Sequence, residues 1–258
     1  MKSGSLQVSG RLLEYDISGP AHDFGFVFVH GLGSDRRGDK ARYFAEFFGQ
    51  RGFGYAALDT TGHGGSEGEI RTLTLTRQID DLAGFLGYIR RKEEWTGRVV
   101  LIGSSLGGLT SAWTSVEEPE GIAGLALIAP AFRFVDNIMA GVGERRVREW
   151  RDTNSLRIES PWLKLDFTWD LAADWQGYGH DSLASRLRVP ALILHGTRDE
   201  QVPVDDSRRV AAASGGRVKL VEIPGGDHRL TDHKEKLAQE ILAFVRRELG
   251  WPEPSRAG

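Results

Sequence analysis

Two stretches of the chain have the spacing glycine–x–serine–x–glycine, which can present a serine hydroxyl as a nucleophile. They read GGSEG at 64–68 and GSSLG at 103–107. The chain has 33 glycines among its 258 residues, so such a pattern can also arise by chance. The surrounding sequence must therefore distinguish the two matches.

The sequence around Ser105 is that of a strand, a tight turn and a helix. An apolar run at 98–103 precedes this serine, and a run of small residues at 106–115 follows it. A sharp turn of this kind strains the backbone of the nucleophile, and glycines on either side relieve the crowding. Ser66 is followed by a polar loop, and Ser104 is only the permissive position before the turn. The sequence therefore predicts Ser105 as a nucleophile.

A nucleophilic serine needs a base, and seven histidines are candidates. His228 lies in the stretch IPGGDHRL, between the last predicted strand and the last predicted helix, at the sheet edge expected to carry Ser105. His30 and His195 each end a predicted strand and are interpreted as buried structural residues. The other four histidines are predicted in loops, in the inserted segment or at a helix start: His22, His63, His180 and His233. His228 is the predicted base.

The carboxylate that orients the base is predicted at Asp199, directly after the strand at 189–196. This gives the chain order serine, aspartate, histidine. Glu200 is the nearest alternative, while Asp227 is interpreted as a turn or capping residue. Asp205 and Asp206 are predicted to begin the next helix.

An oxyanion hole requires two hydrogen-bond donors near the nucleophile. The first predicted donor is the backbone N–H of Leu106, directly after Ser105. The second is the backbone N–H of Leu32, in the loop HGLGSD that follows a predicted strand. Because only the backbone donates, the loop shape set by Gly31 and Gly33 matters more than the leucine side chain.

Apolar runs alternate with helical patterns along the chain and predict the frame that positions these residues. The predicted strands are 5–18 (an antiparallel pair), 24–31, 54–59, 98–103, 121–130, 189–196 and 217–225, and the helices are 39–52, 75–91, 106–115, 204–214 and 234–249. This alternation predicts an α/β fold with a doubly wound, mostly parallel sheet and antiparallel N-terminal strands.

The predicted core, 1–130 and 188–250, is interrupted by an inserted helical cap at 131–187 and followed by a tail at 251–258. The cap is dense in aromatic residues and predicts an apolar roof over Ser105, with Trp162 and Trp169 in the substrate pocket. The alternative interpretation is that the aromatic residues pack the cap onto the core. A stretch rich in arginine, ERRVREWR at 144–151, is interpreted as a solvated helix face, with the pocket entrance as the alternative.

Composition excludes several classes of function. The net charge of −3 argues against a nucleic-acid-binding protein, and the absence of cysteine removes disulfides, thiolate nucleophiles and cysteine metal sites. No apolar segment is long enough to cross a membrane, and the first residues lack the apolar stretch of a signal peptide. We expect a cytoplasmic protein with a small-molecule partner, no membrane span, no metal and no cofactor; the oligomeric state stays open.

The motifs HGLGSDRRG, LDTTGHGGSEG, GSSLGG, HGTRDEQVP and GGDHR follow one another in the order of the α/β-hydrolase superfamily, which the chain resembles over nearly its whole length. Within it the sequence looks most like compact, cofactor-free carboxylesterases of the cinnamoyl-esterase type and members of the acyl-glucuronide esterase and palmitoyl-protein thioesterase group. In this resemblance the stretch around Ser66 corresponds to a structural turn of the superfamily.

The resemblance implies a serine hydrolase that cleaves carboxylic esters by way of an acyl-enzyme. An acyl thioesterase uses the same machinery and is the near alternative, followed by a carbon–carbon bond hydrolase and a cofactor-free peroxidase. A receptor that keeps the fold and the pocket without catalysis is the alternative from a different class.

Overall fold

The computed structural model describes residues 1–22, 24–92, 95–159 and 164–251, which form a sheet of eight strands flanked by helices, with a separate hairpin of two strands. The strands are β1 (Lys2–Val8), β2 (Arg11–Ser18), β3 (Phe24–Val29), β4 (Gly54–Leu58), β5 (Arg98–Ser104), β6 (Ile122–Ile128), β7 (Leu156–Glu159), β8 (Lys164–Phe167), β9 (Ala191–Gly196) and β10 (Val218–Ile223). The helices are α1 (Asp39–Gly49), α2 (Leu75–Arg90), α3 (Leu106–Glu117), α4 (Phe134–Thr153), α5 (Asp170–Trp175), α6 (His180–Arg186), α7 (Val204–Ala213) and α8 (Lys234–Glu248).

The large sheet has the order β1-β2-β4-β3-β5-β6-β9-β10. The pairs β1–β2 and β2–β4 are antiparallel, and all the other pairs in the sheet are parallel. The predicted α/β fold, with its mostly parallel sheet and antiparallel start, is therefore confirmed. Since β3, β5, β9 and β10 run in the same direction, the loops that follow them meet at one edge of the sheet.

Each central strand is apolar on both faces because helices cover both sides of the sheet. Along β3, Phe26 and Phe28 face α1 and α8, whereas Val27 and Val29 face the side of α2 and α3. Phe26 stacks on Phe48 of α1 with their ring centroids 3.9 Å apart. These two apolar layers make the strands a rigid base for the loops at their ends.

The segment between β6 and β9 contains α4, the hairpin β7–β8, α5 and α6. The sequence predicts a helical cap here, and the structure adds a hairpin that was not predicted, in which two strands of four residues pair from Leu156↔Phe167 to Glu159↔Lys164. Helix α4 is also broken at Gly143, whose backbone leaves the helical conformation at φ 78° and ψ 161°. The domain boundaries at 130 and 188 stay a prediction.

Trp251, the first residue of the predicted tail, is buried and packs on β3. Its ring stacks on Phe24 at a centroid distance of 3.9 Å, and its edge contacts Phe26. The large apolar area that an indole ring removes from water explains why this residue belongs to the core.

Candidate active site

Ser105 lies on the turn between β5 and α3, with backbone angles of φ 54° and ψ −116°. A residue with a side chain rarely adopts these angles, at a cost of about 1–3 kcal/mol that the surrounding structure must offset. The N–H of Ser105 donates to Ile128 O at 2.8 Å, and its carbonyl accepts from the N–H groups of Gly108 and Ala131. Ser105 is partly exposed, whereas the adjacent Ser104 is buried, so the turn presents only one of the two serines.

The glycines on either side of Ser105 are required by close backbone contacts. A Cβ atom at position 103 would lie 2.6 Å from Ser111 Oγ and would overlap the carbonyl of Gly107. A Cβ atom at position 107 would overlap the carbonyl oxygens of Val29 and His30. Gly107 therefore lets α3 begin directly against the end of β3.

His228 and Asp199 continue a chain of hydrogen bonds that starts at Ser105. His228 Nε2 lies 3.0 Å from Ser105 Oγ, and His228 Nδ1 lies 2.7 Å from Asp199 Oδ2. Because the carboxylate accepts from Nδ1, Nε2 is left free to accept the serine proton. Residues that are 123 and 29 positions apart in the chain thus meet at one edge of the sheet.

The Asp199 side chain is buried and fully provided with donors. Its Oδ1 accepts the N–H groups of Gln201 and Val202 at 2.9 and 2.8 Å, and its Oδ2 contacts both His228 and His195. Burial alone would raise the pKa of Asp199, but hydrogen bonds from His195, His228 and Val202 hold it well below its usual range. The carboxylate is therefore charged at neutral pH.

The alternative residues have other contacts. Glu200 is exposed, and Asp227 caps the turn after it by accepting the N–H of Leu230 at 2.8 Å. Ser66 Oγ donates to Asp59 O at 2.6 Å and accepts from Glu14 N, which ties a loop together. Asp205 and Asp206 lie in the first turn of α7, as predicted from their position.

The loop that carries His228 is held from the other side by Lys40, near the start of α1. Lys40 Nζ donates to the carbonyl of Arg229 at 2.8 Å. Burial lowers the pKa of Lys40 to about 8, although the carboxylates of Asp227 and Asp199 act to raise it. No local sequence pattern marks Lys40, because its contact with Arg229 spans 189 residues.

The two predicted oxyanion donors belong to the residue after Ser105 and to the loop that follows β3. Leu106 is the first residue of α3, and Leu32 follows Gly31, at which a Cβ atom would lie 3.1 Å from Ser105 Cβ. Among the described residues, no hydrogen bond from the N–H of Leu32 or Leu106 is found. Their role as oxyanion donors stays a prediction.

Arg36 anchors the loop that carries Leu32. Its N–H donates to Asp59 Oδ1 at 2.6 Å, and its guanidinium contacts the other oxygen of Asp59. The same guanidinium lies 2.8 Å from Glu14 and 3.4 Å from Asp16, both on β2. Arg36 and its three carboxylates form a mostly buried cluster, which fixes the loop geometry next to Ser105.

The two predicted pocket residues have different outcomes. Trp162 lies outside the described residues. Trp169 is half-buried and packs edge-on against Trp150, with ring centroids 5.2 Å apart, inside the inserted segment. Several other aromatic residues of this segment are core residues, with Phe132, Trp150, Phe167 and Trp175 all buried. A pocket role for Trp169 stays a prediction.

Three of the four arginines of the stretch 144–151 face solvent, whereas Arg146 is half-buried and donates to the carbonyl of Arg157. Arg145 is 76% exposed and pairs with Glu149 on the next turn of α4 at 2.7 Å. Arg148 and Arg151 are also exposed, and each pairs with a nearby acidic residue of the same helix. These contacts favour the solvated helix face over the pocket entrance.

Within the described ranges, no group of three or more histidine, aspartate or glutamate side chains has the arrangement of a metal site. No helix in the part of the chain that the structure describes has both the length and the hydrophobicity to cross a membrane.

The fold and the arrangement around Ser105 define an α/β-hydrolase. Residues 21–175 match the family described as serine aminopeptidase, S33, so the chain belongs to this family of α/β-hydrolases. The family thus agrees with the resemblance drawn from the sequence motifs.

The chain is similar to a curated thioesterase and shares its fold with solved structures. The chain is 25% identical over 239 residues to the mitochondrial palmitoyl-protein thioesterase ABHD10 of Bos taurus, an alignment that spans 86% of this chain and 71% of that protein. The structure of mouse ABHD10 superposes with a TM-score of 0.81 at 21% identity, over 96% of this chain and 99% of that one. Est1E of Butyrivibrio proteoclasticus, solved with ferulic acid, gives a TM-score of 0.79 at 19% identity, over 96% and 100%.

Proposed function

We propose that this protein is a serine hydrolase that cleaves carboxylic esters through Ser105, His228 and Asp199. The observation that supports this most directly is the continuous hydrogen-bonded chain from Ser105 Oγ through both nitrogens of His228 to Asp199. The strained, partly exposed position of Ser105 adds to this support, because such strain is concentrated at functional sites.

In the proposed reaction, Ser105 Oγ attacks the carbonyl carbon of the ester while His228 Nε2 takes the serine proton. The carbonyl oxygen becomes an oxyanion, which the N–H groups of Leu32 and Leu106 stabilise. His228 then gives the proton to the leaving oxygen, and the alcohol departs, which leaves the acyl group on Ser105. A water molecule, deprotonated by His228, releases the acid in a second round of the same steps.

Asp199 orients the imidazole and stabilises its positive charge during both rounds. Its dense set of donors keeps the carboxylate ionised, so it acts through its charge and position and not by taking the proton.

Labelling and turnover together test this proposal. We expect a fluorophosphonate probe to modify Ser105, and Ser105→Ala to abolish both labelling and turnover of a p-nitrophenyl ester. Ser104→Ala is the matched control, since it changes the adjacent buried serine and leaves Oγ of Ser105 in place. A Ser105→Ala protein that is still labelled and active would exclude the proposal, and an unlabelled, inactive wild type would favour the receptor alternative.

An acyl thioesterase is the second candidate, because the ABHD10 relatives are named palmitoyl-protein thioesterases and align over most of this chain. The catalytic residues would be the same, with a thiol as the leaving group. The ratio of kcat/KM for an octanoyl ester and the matching octanoyl thioester distinguishes an esterase from a thioesterase. Turnover of an aminoacyl p-nitroanilide tests for the aminopeptidase activity that the family is named after. The cytoplasmic location stays a prediction from the sequence.

A further inference from the structure

Two imidazole rings meet on a single oxygen of Asp199. His228 Nδ1 lies 2.7 Å from Asp199 Oδ2, and His195 Nε2 lies 3.1 Å from the same atom. The side chains of His195 and Asp199 are both completely buried. Only the first of these two rings has a role in the proposed reaction.

The contacts of His195 fix where its proton is. Nε2 faces two acceptors, Asp199 Oδ2 and the carbonyl of Val202, which is also 3.1 Å away. A carbonyl oxygen can only accept, so Nε2 must carry a hydrogen. On the other side of the ring, Nδ1 lies 2.8 Å from Ser207 Oγ and accepts the hydroxyl hydrogen in the neutral form.

The titratable groups around this ring come from three elements. Asp199 and His228 face it from the loops after β9 and β10, and Glu222 is its register partner on β10. Glu222 is itself paired with Arg208 of α7 at 2.7 Å, which leaves Asp199 as the acidic group that the ring contacts directly.

We propose that His195 is a positioning residue for the acid of the triad: its Nε2–H holds Oδ2 of Asp199 in the orientation that His228 requires and draws charge from that oxygen. This inference rests on the proposed function. The two backbone donors on Oδ1 fix one oxygen of the carboxylate, and His195 fixes the other. Without the hydrogen bond from His195, the carboxylate of Asp199 can rotate and interact more strongly with the His228 ring.

Two consequences follow for a protein that lacks this donor. Misalignment of the His228 ring lowers kcat, because a displacement of about 1 Å in a catalytic group can cost about a hundredfold. A more basic carboxylate also stabilises the protonated form of His228, so the base stays protonated to higher pH and the acidic limb of the rate profile moves upward.

The test compares two variants at position 195 whose new side chains have the same length. His195→Gln keeps an N–H near the position of Nε2, whereas His195→Met fills a similar volume without a donor. We expect the Met variant to lose about ten- to a hundredfold in kcat with little change in KM, and its acidic limb to move to higher pH. The Gln variant should keep the wild-type pH profile and most of kcat. If the Met variant fails to fold, His195→Asn, whose amide reaches only toward Ser207, takes its place.

A second readout does not depend on turnover. In the Ser105→Ala background, the pH midpoint of the His228 ring titration, followed by NMR, should rise in the Met variant and not in the Gln variant. An inactive, unlabelled wild type would refute the proposed function while leaving this comparison valid. Equal losses in both variants, or unchanged midpoints in both, would overturn the role of His195 as a donor and leave it a packing residue.

Discussion

His63, in the loop after β4, is a buried histidine that should make the folded protein sensitive to acid. Its side chain is 4% exposed, Nδ1 donates to Thr61 O at 3.1 Å, and Nε2 has no hydrogen-bond partner. Burial, reinforced by the His30 ring at a centroid distance of 4.8 Å, lowers the pKa of His63 to about 4. The folded protein therefore keeps this ring neutral at a pH where the unfolded chain protonates it.

The size of the effect follows from the two pKa values, 6.5 in the unfolded chain and about 4 in the folded protein. Below pH 6.5 the unfolded state binds a proton that the folded state does not. The free energy of unfolding therefore decreases as the pH is lowered from 6.5 to about 4. Integrated between pH 7 and pH 5, the free energy of unfolding decreases by about 2 kcal/mol through this one residue. A loss of this size is a substantial part of the stability of an ordinary domain.

The perturbation is His63→Asn, because the asparagine amide nitrogen lies near the position of Nδ1 and can still donate to Thr61 O. Urea unfolding at pH 7 and pH 5 gives the loss of stability for each protein. We expect the variant to lose about 2 kcal/mol less than the wild type, whatever its stability at pH 7. His22→Asn, at an exposed position, should behave as the wild type. Equal losses in the wild type and in His63→Asn would refute the reasoning.

Three further outcomes are expected. Because Lys40 loses its charge near pH 8, ester hydrolysis by the wild type should decline above that pH. Lys40→Arg, which stays charged, should keep its activity to higher pH. The same decline in both proteins would exclude Lys40 as the cause of the decline. Gly107→Ala should prevent folding or abolish labelling, since its Cβ would overlap the end of β3. Gly141→Ala should be tolerated, because the space around its Cβ in α4 is open. Thermal melts compare the stability of the two variants. Asp199→Asn should keep the melting temperature within a few degrees but reduce kcat by orders of magnitude, because it favours the wrong tautomer of the base; a near-normal kcat would assign the orienting role to another group.

The core elements could be predicted because the strands are apolar runs and the helices carry apolar residues at helical spacing. The differences are small and have local causes: the run at 189–196 pairs as a strand only from Ala191, since Pro190 has no N–H to donate to a neighbouring strand. The hairpin β7–β8 was missed because its strands have only four residues each and mix charged with apolar side chains. Strands this short have too few residues for a pattern to stand out.

The residues around Ser105 also include some that the sequence could predict and some that it could not. Ser105, Asp199 and His228 each lie in the turn or loop that follows a recognisable strand, so their placement at one edge of the sheet could be expected from topology. The contacts of His195, Lys40 and Arg36 could not. His195 was interpreted as a structural residue, and its contact with Asp199 depends on how the chain turns back after β9.

The cluster around Arg36 gives the first two strands a significance for anyone who engineers this chain. Two of its three carboxylates, Glu14 and Asp16, belong to β2, whereas Arg36 belongs to the loop that carries Leu32. Trimming the N-terminal hairpin to make a smaller catalyst would leave a buried guanidinium with Asp59 as its remaining carboxylate in the cluster and would free the loop beside Ser105. A minimal version of this protein must therefore include its first two strands.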